Sequence, residues 1–514
     1  MSKTIIIIGA GLAGLSAALQ AAENGCNVKL VSSLPSERAQ SVMAEGGINA
    51  ALNTKDENDS PEEHFTDTIK AACGLADPNA VWGMTQAAPE LVHWLLKLGV
   101  KFNMSGYDDV DLRNFGGQKK KRTAFAQSDT GKQIMTAMID AVRRKEASGM
   151  VERFSHHSFL TLRLCGNICC GCVIRDEYSQ ETVELPGDAV IVATGGMHGL
   201  FGNTTGSLSN TGEVTAELFR LGVPLANGEM IQYHPTTVKC GGKRMLISEA
   251  ARGEGGRLFA MKDGKQWYFM EEKYPELGNL MPRDITAREI WKVSHESEVF
   301  LDMTEISDEI ISNKLSGLAD DCMTYLHKDI RKEPVSVLPG IHYFMGGILV
   351  DEQHRTPIQN LYAAGECCAQ YHGANRLGGN SLLGALYGGR VAAKSACEQA
   401  DVVDLSCATQ IDFPPASQIS EIKQLNKVMQ ETMCVVRNEN TLLNGIQTVQ
   451  ALTGNLPLLG MAVLKSALAR KESRGAHWRE DYPKSNDDDY LKTTVARFDG
   501  KQIQISFVPV PERR

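Results

Sequence analysis

The chain has 514 residues, 42% of them hydrophobic, and a formal net charge of −9. That length favours several domains with large cores, and the acidic balance excludes a typical nucleic-acid binder, which needs a basic face. No apolar run is long enough to span a bilayer. The N-terminus enters a strand with no signal-peptide pattern, so a cytoplasmic chain is expected, one that reaches a membrane only through partners.

In chain order, Thr4 to Ile8 is a β-branched run that leads into Gly9-Ala10-Gly11-Leu12-Ala13-Gly14. A helical segment from Leu15 and a second strand over Asn27 to Val31 complete a βαβ opening with the G-x-G-x-x-G fingerprint. Gly9 permits the tight turn, Gly11 lets a pyrophosphate approach the backbone, and Gly14 lets helix and strand pack closely. The fingerprint by itself leaves FAD, NAD and NADP open. Helical periodicity follows in 62–75 and 79–99, a Gly-rich loop at Phe115-Gly116-Gly117, and a helix from Thr130 to about Glu146. Strands are expected at 151–156, 158–165 and 169–176, then a buried strand over Ala189 to Ala193 that ends in Thr194-Gly195-Gly196. Residues 225–343 change character and read as an insertion. Leu361 to Glu366 returns to strand-then-glycine grammar, with a helix over Leu382 to Gln399. From about 411 the pattern is helical, and the polar end carries one expected strand, Gln502 to Val508.

The chain contains thirteen cysteines. An odd number without a signal peptide reads as reduced thiols. Cys165, Cys169, Cys170 and Cys172 fall on an expected hairpin. Strict alternation there puts Cys170 and Cys172 on one face and Cys169 on the other, a poor geometry for one metal, and no metal site is expected.

Several charged and imidazole side chains stand in unusual company: His234 in Gln232-Tyr233-His234-Pro235-Thr236, Arg283 in Pro282-Arg283-Asp284, His342 before Tyr343-Phe344-Met345-Gly346-Gly347, and His372 and Arg376 in His372-Gly373-Ala374-Asn375-Arg376. Together they suggest a carboxylate pocket, since Arg presents a planar fork and His adds a donor. Glu249 and Arg252 in Ser248-Glu249-Ala250-Ala251-Arg252 are three apart and share a helical face, either as a plain ion pair or as a proton path.

These stretches, with Ala44-Glu45-Gly46-Gly47 and the late Ser473 to Pro483, run in an order that resembles the flavoprotein subunits of succinate dehydrogenase and fumarate reductase, relatives of L-aspartate oxidase. The resemblance covers nearly the whole chain. It implies an α/β fold: a Rossmann-like FAD-binding domain in two parts (1–224 and 344–405), an inserted α+β capping domain (225–343), and a C-terminal helical domain with a tail (406–514). It implies FAD on Gly9, Gly11 and Gly14, with Ser32 or Ser33 near the ribose. Ser41, Gly47, Thr194, Gly195, Glu366, Arg376, Ser381 and Leu382 are the further cofactor contacts. It assigns His234, His342 and Arg376 to the substrate carboxylates, with Ser248 where the family usually has Thr, and Phe115 and the Gly46 backbone closing the pocket. Arg283 becomes the proton donor, resupplied through Glu249 and Arg252. A guanidinium is a weak acid, suited here only to a strongly basic carbanion.

Two departures bear on chemistry. Gln40 occupies the position of the histidine that carries covalent flavin in many family members, so non-covalent FAD is expected. In this family that goes with a lower flavin potential, favouring alkene reduction. The acidic residue expected after the second strand is replaced by Ser32 and Ser33, as in many family members. Phe115 stands where aspartate oxidase has an acidic residue, which disfavours that alternative; a reductase of another enoate and a simple electron relay are the others. The reading is fumarate reduction to succinate. The sequence has no C-x-x-C-H, no ferredoxin-like cysteine run and no second dinucleotide fingerprint, so electrons are expected from a separate iron–sulfur subunit.

Overall fold

The computed structural model describes residues 2–106, 109–400, 413 and 419–514. The opening βαβ forms as expected: β1 (Thr4–Ile8), α1 (Leu12–Glu23) and β2 (Asn27–Ser32), followed later by α2 (Thr130–Ala147), β3 (Val151–Ser155) and β4 (Ala189–Val192). The chain then builds β5 (Ile231–Cys240), β6 (Lys243–Leu246), the short helix α3 (Glu249–Gly253), α4 (Arg283–Val293) and β7 (Leu338–Phe344). It returns through β8 (Leu361–Ala363) into α5 (Asn380–Gln399). A parallel five-stranded sheet results, in the order β8-β4-β1-β2-β3, with Ile5 opposite both Ala189 and Val28. Ile5 to Ile8 are buried because both faces are covered: Ile5 and Ile7 pack under α1, α2 and α5, and Ile6 and Ile8 pack against the cysteine-rich hairpin through Leu162, Cys169, Cys172 and Ile174. The small residues of α1 let α5 lie directly on it: a Cβ at Gly389 would stand 2.3 Å from the Ala13 carbonyl oxygen.

The segment expected as an insertion has its own core, including Ile247, Leu258, Phe269, Ile290, Leu301, Ile311 and Val335, with Phe115 reaching into it. Two antiparallel sheets frame it: β6-β5-β7, and a four-stranded sheet whose central strands are Arg257–Lys262 and Val299–Asp302. Further on come the helices α6 (Ile419–Thr432), α7 (Glu439–Val449) and α8 (Asn455–Ala469), packed around Leu425, Met429, Leu442 and Leu459. The boundary expected at 405/406 lies outside the described residues.

Three expectations need correction. The C-terminus carries a hairpin rather than one strand, β9 (Lys492–Phe498) and β10 (Ile503–Pro509), and β9 pairs with Leu225–Ala226. The partner strand is far away in sequence, so nothing local announced it. In the cysteine-rich hairpin, Leu164 pairs with Cys169 and Arg163 with Gly171, so Cys170 is skipped by a bulge. The extra residue resets the alternation, and Cys169 and Cys172 end in the same buried cluster. Eleven described cysteines are free thiols, whereas Cys165 is disulfide-bonded, contrary to the expectation of reduced thiols throughout. Among the described residues no group of three or more His, Cys, Asp and Glu could hold a metal, and no helix is long and apolar enough to cross a membrane.

The loop entering α5 is held from behind by a polar network. Asn49 Nδ2 donates to Gly378 O and to Asn380 Oδ1, both at 2.7 Å, and His64 Nε2 donates to Asn380 Oδ1 at 2.9 Å. His64 Nδ1 is buried without a partner. Burial, then the nearby Arg122 guanidinium, pushes His64 from its ordinary 6.5 down to about 3. Its contribution to stability is therefore complete above pH 6.5 and declines as pH falls toward 3, because only the unfolded chain takes up the proton. We expect His64→Gln to remove about 2 kcal/mol of the stability loss between about pH 7.5 and pH 5, read from urea unfolding at both pH values; an unchanged acid limb would contradict the buried neutral imidazole.

Candidate active site

A single cavity of about 550 Å³ runs from the β1–α1 turn to the underside of α4. At its first end the chain turns tightly because Gly9 adopts φ +111° and its amide donates to Val31 O at 2.8 Å. A Cβ at Gly9 would meet Ala193 O at 2.3 Å, and one at Gly14 would meet Gly9 O at 1.8 Å. Only hydrogen fits at either place. The N-terminus of α1 faces the cavity with Ser41 Oγ 3.2 Å from the Leu12 amide, and Ser32 Oγ is buried with no hydrogen-bond partner. An open glycine turn, a helix N-terminus and an orphaned hydroxyl at the end of β2 suit the pyrophosphate and ribose of a dinucleotide. The wall continues through Ser33, Ser41, Gly47, Thr194, Gly195 and Glu366 to Ser381 and Leu382 at the start of α5. The chemistry of this wall fits FAD.

The second end is built by widely separated parts of the chain. Ser248 caps α3, its hydroxyl accepting from Ala250 N at 3.4 Å, and so points Glu249 inward from the first turn. Arg283, the first residue of α4, donates to Glu249 Oε2 through Nε and lies 2.7 Å from it through Nη2 as well. Arg252 Nη2 stands 3.7 Å from the other oxygen, Oε1, which also accepts the Gly116 amide at 3.0 Å. A Cβ at Gly116 would reach Oε1 at 2.6 Å, which explains the glycine beside Phe115. Burial would raise the Glu249 carboxyl, but Arg283 and Arg252 outweigh it and hold it below its ordinary value. Burial lowers Arg252 despite Glu249.

His234 from β5 and His342 from β7 meet edge to face, with ring centroids 5.2 Å apart. Both are held well below their ordinary value by burial first and by Arg283 next, so both rings are neutral. Arg376 lies 4.4 Å over the Tyr343 ring with Nε unpartnered. Burial and Arg283 bring it down to about 9. Phe115 closes one side against Gly46, whose would-be Cβ is 3.0 Å from the ring. Neutral imidazoles, exposed guanidinium edges and one phenyl ring form a cationic slot with an apolar wall.

Every residue singled out in the sequence lines this one cavity except Gly14, Arg252 and His372, whose ring packs edge-on against Tyr343. Gly14 stands beneath the turn and Arg252 behind Glu249. Sequence reasoning missed Gln232, which is fully buried. Its Oε1 accepts from Arg283 Nη1 at 3.1 Å, and its Nε2 donates to Asn375 Oδ1 at 2.9 Å and to Arg376 O at 2.8 Å. Its place two residues before His234 on one strand was the available signal. It also missed Thr205, against His342, and Glu45, whose carboxyl burial and Asp321 push up to about 8. Nothing local marks Thr205, whereas Glu45 lies within the stretch Ala44-Glu45-Gly46-Gly47.

A Rossmann-like domain whose nucleotide groove opens beneath a cap bearing buried arginines defines a flavin-dependent oxidoreductase. The family model described as FAD binding domain matches residues 4–382, and that described as fumarate reductase flavoprotein C-term matches 452–513. The succinate dehydrogenase flavoprotein subunit of Bacillus subtilis is 38% identical over 100% of this chain and 98% of its own length. The 8-methylmenaquinol:fumarate reductase flavoprotein subunit of Wolinella succinogenes is 32% identical over 100% and 92%. Among solved structures, a mutant of E. coli quinol fumarate reductase superposes with a TM-score of 0.90 at 27% identity, covering 99% of this chain and 97% of that one. The chain belongs to the succinate dehydrogenase/fumarate reductase flavoprotein family.

Gly14→Ala should force the β1–α1 turn open and empty the groove. We expect the purified variant to carry less than about a tenth of the flavin of the native protein, read as flavin absorbance per chain, with a lowered Tm.

Proposed function

We propose that this chain is the flavoprotein subunit of an enzyme that reduces fumarate to succinate and that it holds FAD without a covalent link. The observation that carries the reading is the slot itself. Arg283 and Arg376 are buried with two neutral histidines, and a small dianion would satisfy donors that the protein leaves unpaired. Arg376, His234, His342 and Ser248 would hold the two carboxylates. Phe115 and the Gly46 backbone would press the alkene against the cofactor side. Gly9, Ser32, Glu366, Ser381 and Leu382 would hold FAD, which, once reduced by the electron donor, would supply the hydride for one alkene carbon. Arg283 would deliver a proton to the other carbon. Its contacts with Glu249, and those of Glu249 with Arg252, form a route by which the guanidinium is reprotonated. The ionised state of Glu249 suits it to pass protons while keeping Arg283 aimed.

Gln40 supports the non-covalent link, since a side-chain amide lacks the nucleophilic nitrogen with which the family's histidine bonds the flavin. By the same resemblance it supports alkene reduction over succinate oxidation. The B. subtilis relative, named a succinate dehydrogenase, favours the opposite direction and is the second reading. Residues 1–224 with 344–405 are read as the FAD-binding domain, 225–343 as the cap and 406–514 as the C-terminal domain. Relatives named as flavoprotein subunits support a partner subunit; by the family resemblance we take it to be an iron–sulfur subunit that supplies electrons and through which the chain would reach a membrane.

Purified protein should reduce fumarate with a reduced viologen as donor. Turnover of cinnamate or urocanate without fumarate would sink the dicarboxylate reading. Arg283→Ala should lose at least about a thousandfold in kcat while retaining FAD, and activity within tenfold of native would remove it as the acid. On acid precipitation the flavin should stay in the supernatant; flavin carried down with the protein would refute the non-covalent link.

A further inference from the structure

Two adjacent threonines stand behind the carboxylate end of the cavity. Thr204 Oγ1 meets His198 Nδ1 at 3.0 Å, and Thr205 Oγ1 meets His342 Nδ1 at 2.8 Å. The Thr205 hydroxyl has one proton and two acceptors in reach. One is Nδ1; the other is Ile341 O at 3.4 Å, which already accepts the Thr205 amide at 3.0 Å. A separation of 3.4 Å is beyond the usual O–H···O range, so the hydroxyl proton goes to Nδ1. Burial, Arg283 and Arg376 keep the His342 ring neutral. A neutral imidazole carries one N–H. With Nδ1 accepting, that proton sits on Nε2, the nitrogen left for the cavity. The other tautomer would turn a lone pair toward an incoming carboxylate.

We propose that Thr205 is a positioning residue that fixes His342 in its Nε2–H tautomer, so that the ring donates a hydrogen bond to a substrate carboxylate. The proposal rests on the dicarboxylate reading above. It distinguishes the two histidines. His234 Nδ1 lies near Thr236 O at 3.1 Å and Thr236 N at 3.3 Å, backbone partners of opposite sign. The Thr236 hydroxyl donates to Ile247 O at 2.8 Å. No side-chain proton selects the His234 tautomer, whereas at His342 a replaceable hydroxyl does.

The test titrates the FAD-loaded protein with malonate, a dicarboxylate that has no alkene to reduce, and follows the flavin absorbance. Native protein that does not bind malonate overturns the dicarboxylate reading and this proposal with it. If native protein binds, Thr205→Val, close to isosteric, should weaken malonate about tenfold or more, and Thr205→Ser should restore it to within about threefold. Thr205→Ala replaces Thr205→Val should that variant fail to fold. Nitrogen-15 NMR of histidine-labelled malonate complexes, with His342→Gln for assignment, should find His342 protonated at Nε2 in native protein and Thr205→Ser. The ring should be mixed or Nδ1-protonated in Thr205→Val. Malonate affinity unchanged in Thr205→Val, or His342 retaining Nε2–H there, overturns the proposal.

Discussion

Burying three guanidiniums around one carboxylate is the constraint on which the site depends. Arg252, Arg283 and Glu249 are all nearly inaccessible, and Arg376 is held in the same cavity wall. Positive charges in a low-dielectric space are tolerated only when paired and hydrogen-bonded, and removing one partner of a buried pair typically costs about 3–5 kcal/mol. The local structure is arranged around that need. Ser248 starts a five-residue helix just long enough to carry Glu249 and Arg252 on one face. Gly116 leaves room for a third bond to the carboxylate. Pro282 ends an extended segment so that Arg283 begins α4 aimed at Glu249. What these contacts leave unpaired, chiefly the Arg376 edge, makes the slot receptive to an anion.

A second buried ionic array fastens the far end of the chain to this site. Arg470 binds Glu229 Oε1 and Glu472 Oε1, each at 2.7 Å, and Arg474 binds the same Glu472 oxygen at 2.8 Å. Arg437 Nη1 donates to Glu229 O at 2.8 Å, next to the start of β5. The Ala476 amide donates to Ala374 O at 2.9 Å, two residues before Arg376. The array holds β5 and the loop that carries Arg376 in fixed relation, with Gln232 bridging the two. The Ser473 to Pro483 stretch, distant in sequence from every cavity residue, is therefore a support for the end of the cavity that holds His234 and Arg376.

The cysteine-rich hairpin marks where alternation stops being a guide. Its strands were legible from their composition, and they form nearly where expected. The face each cysteine takes was not legible, because the bulge at Cys170 depends on how β-strand partners pair across the turn and on the left-handed Gly171. The C-terminal hairpin is a similar case: β9 finds Leu225–Ala226 across more than half of the chain, and no local pattern encodes that partner.

What the sequence determined by itself was the nucleotide turn and the inventory of chemistry. The positive φ of Gly9, its bond to Val31 O and the contact of Gly14 with Gly9 O all lie within one βαβ unit, and a run of β-branched residues beside them suffices to form it. The residue types for binding carboxylates were likewise visible in short ordered stretches. Only the tertiary structure decided how they work together. His234, Glu249, Arg283, His342 and Arg376 come from different elements, and their burial and charge state arise from neighbours brought in by long-range packing. Thr205 against His342 and Gln232 against Arg283 are of that kind, because a hydrogen-bond partner is chosen by proximity in space, on which spacing along the chain is silent.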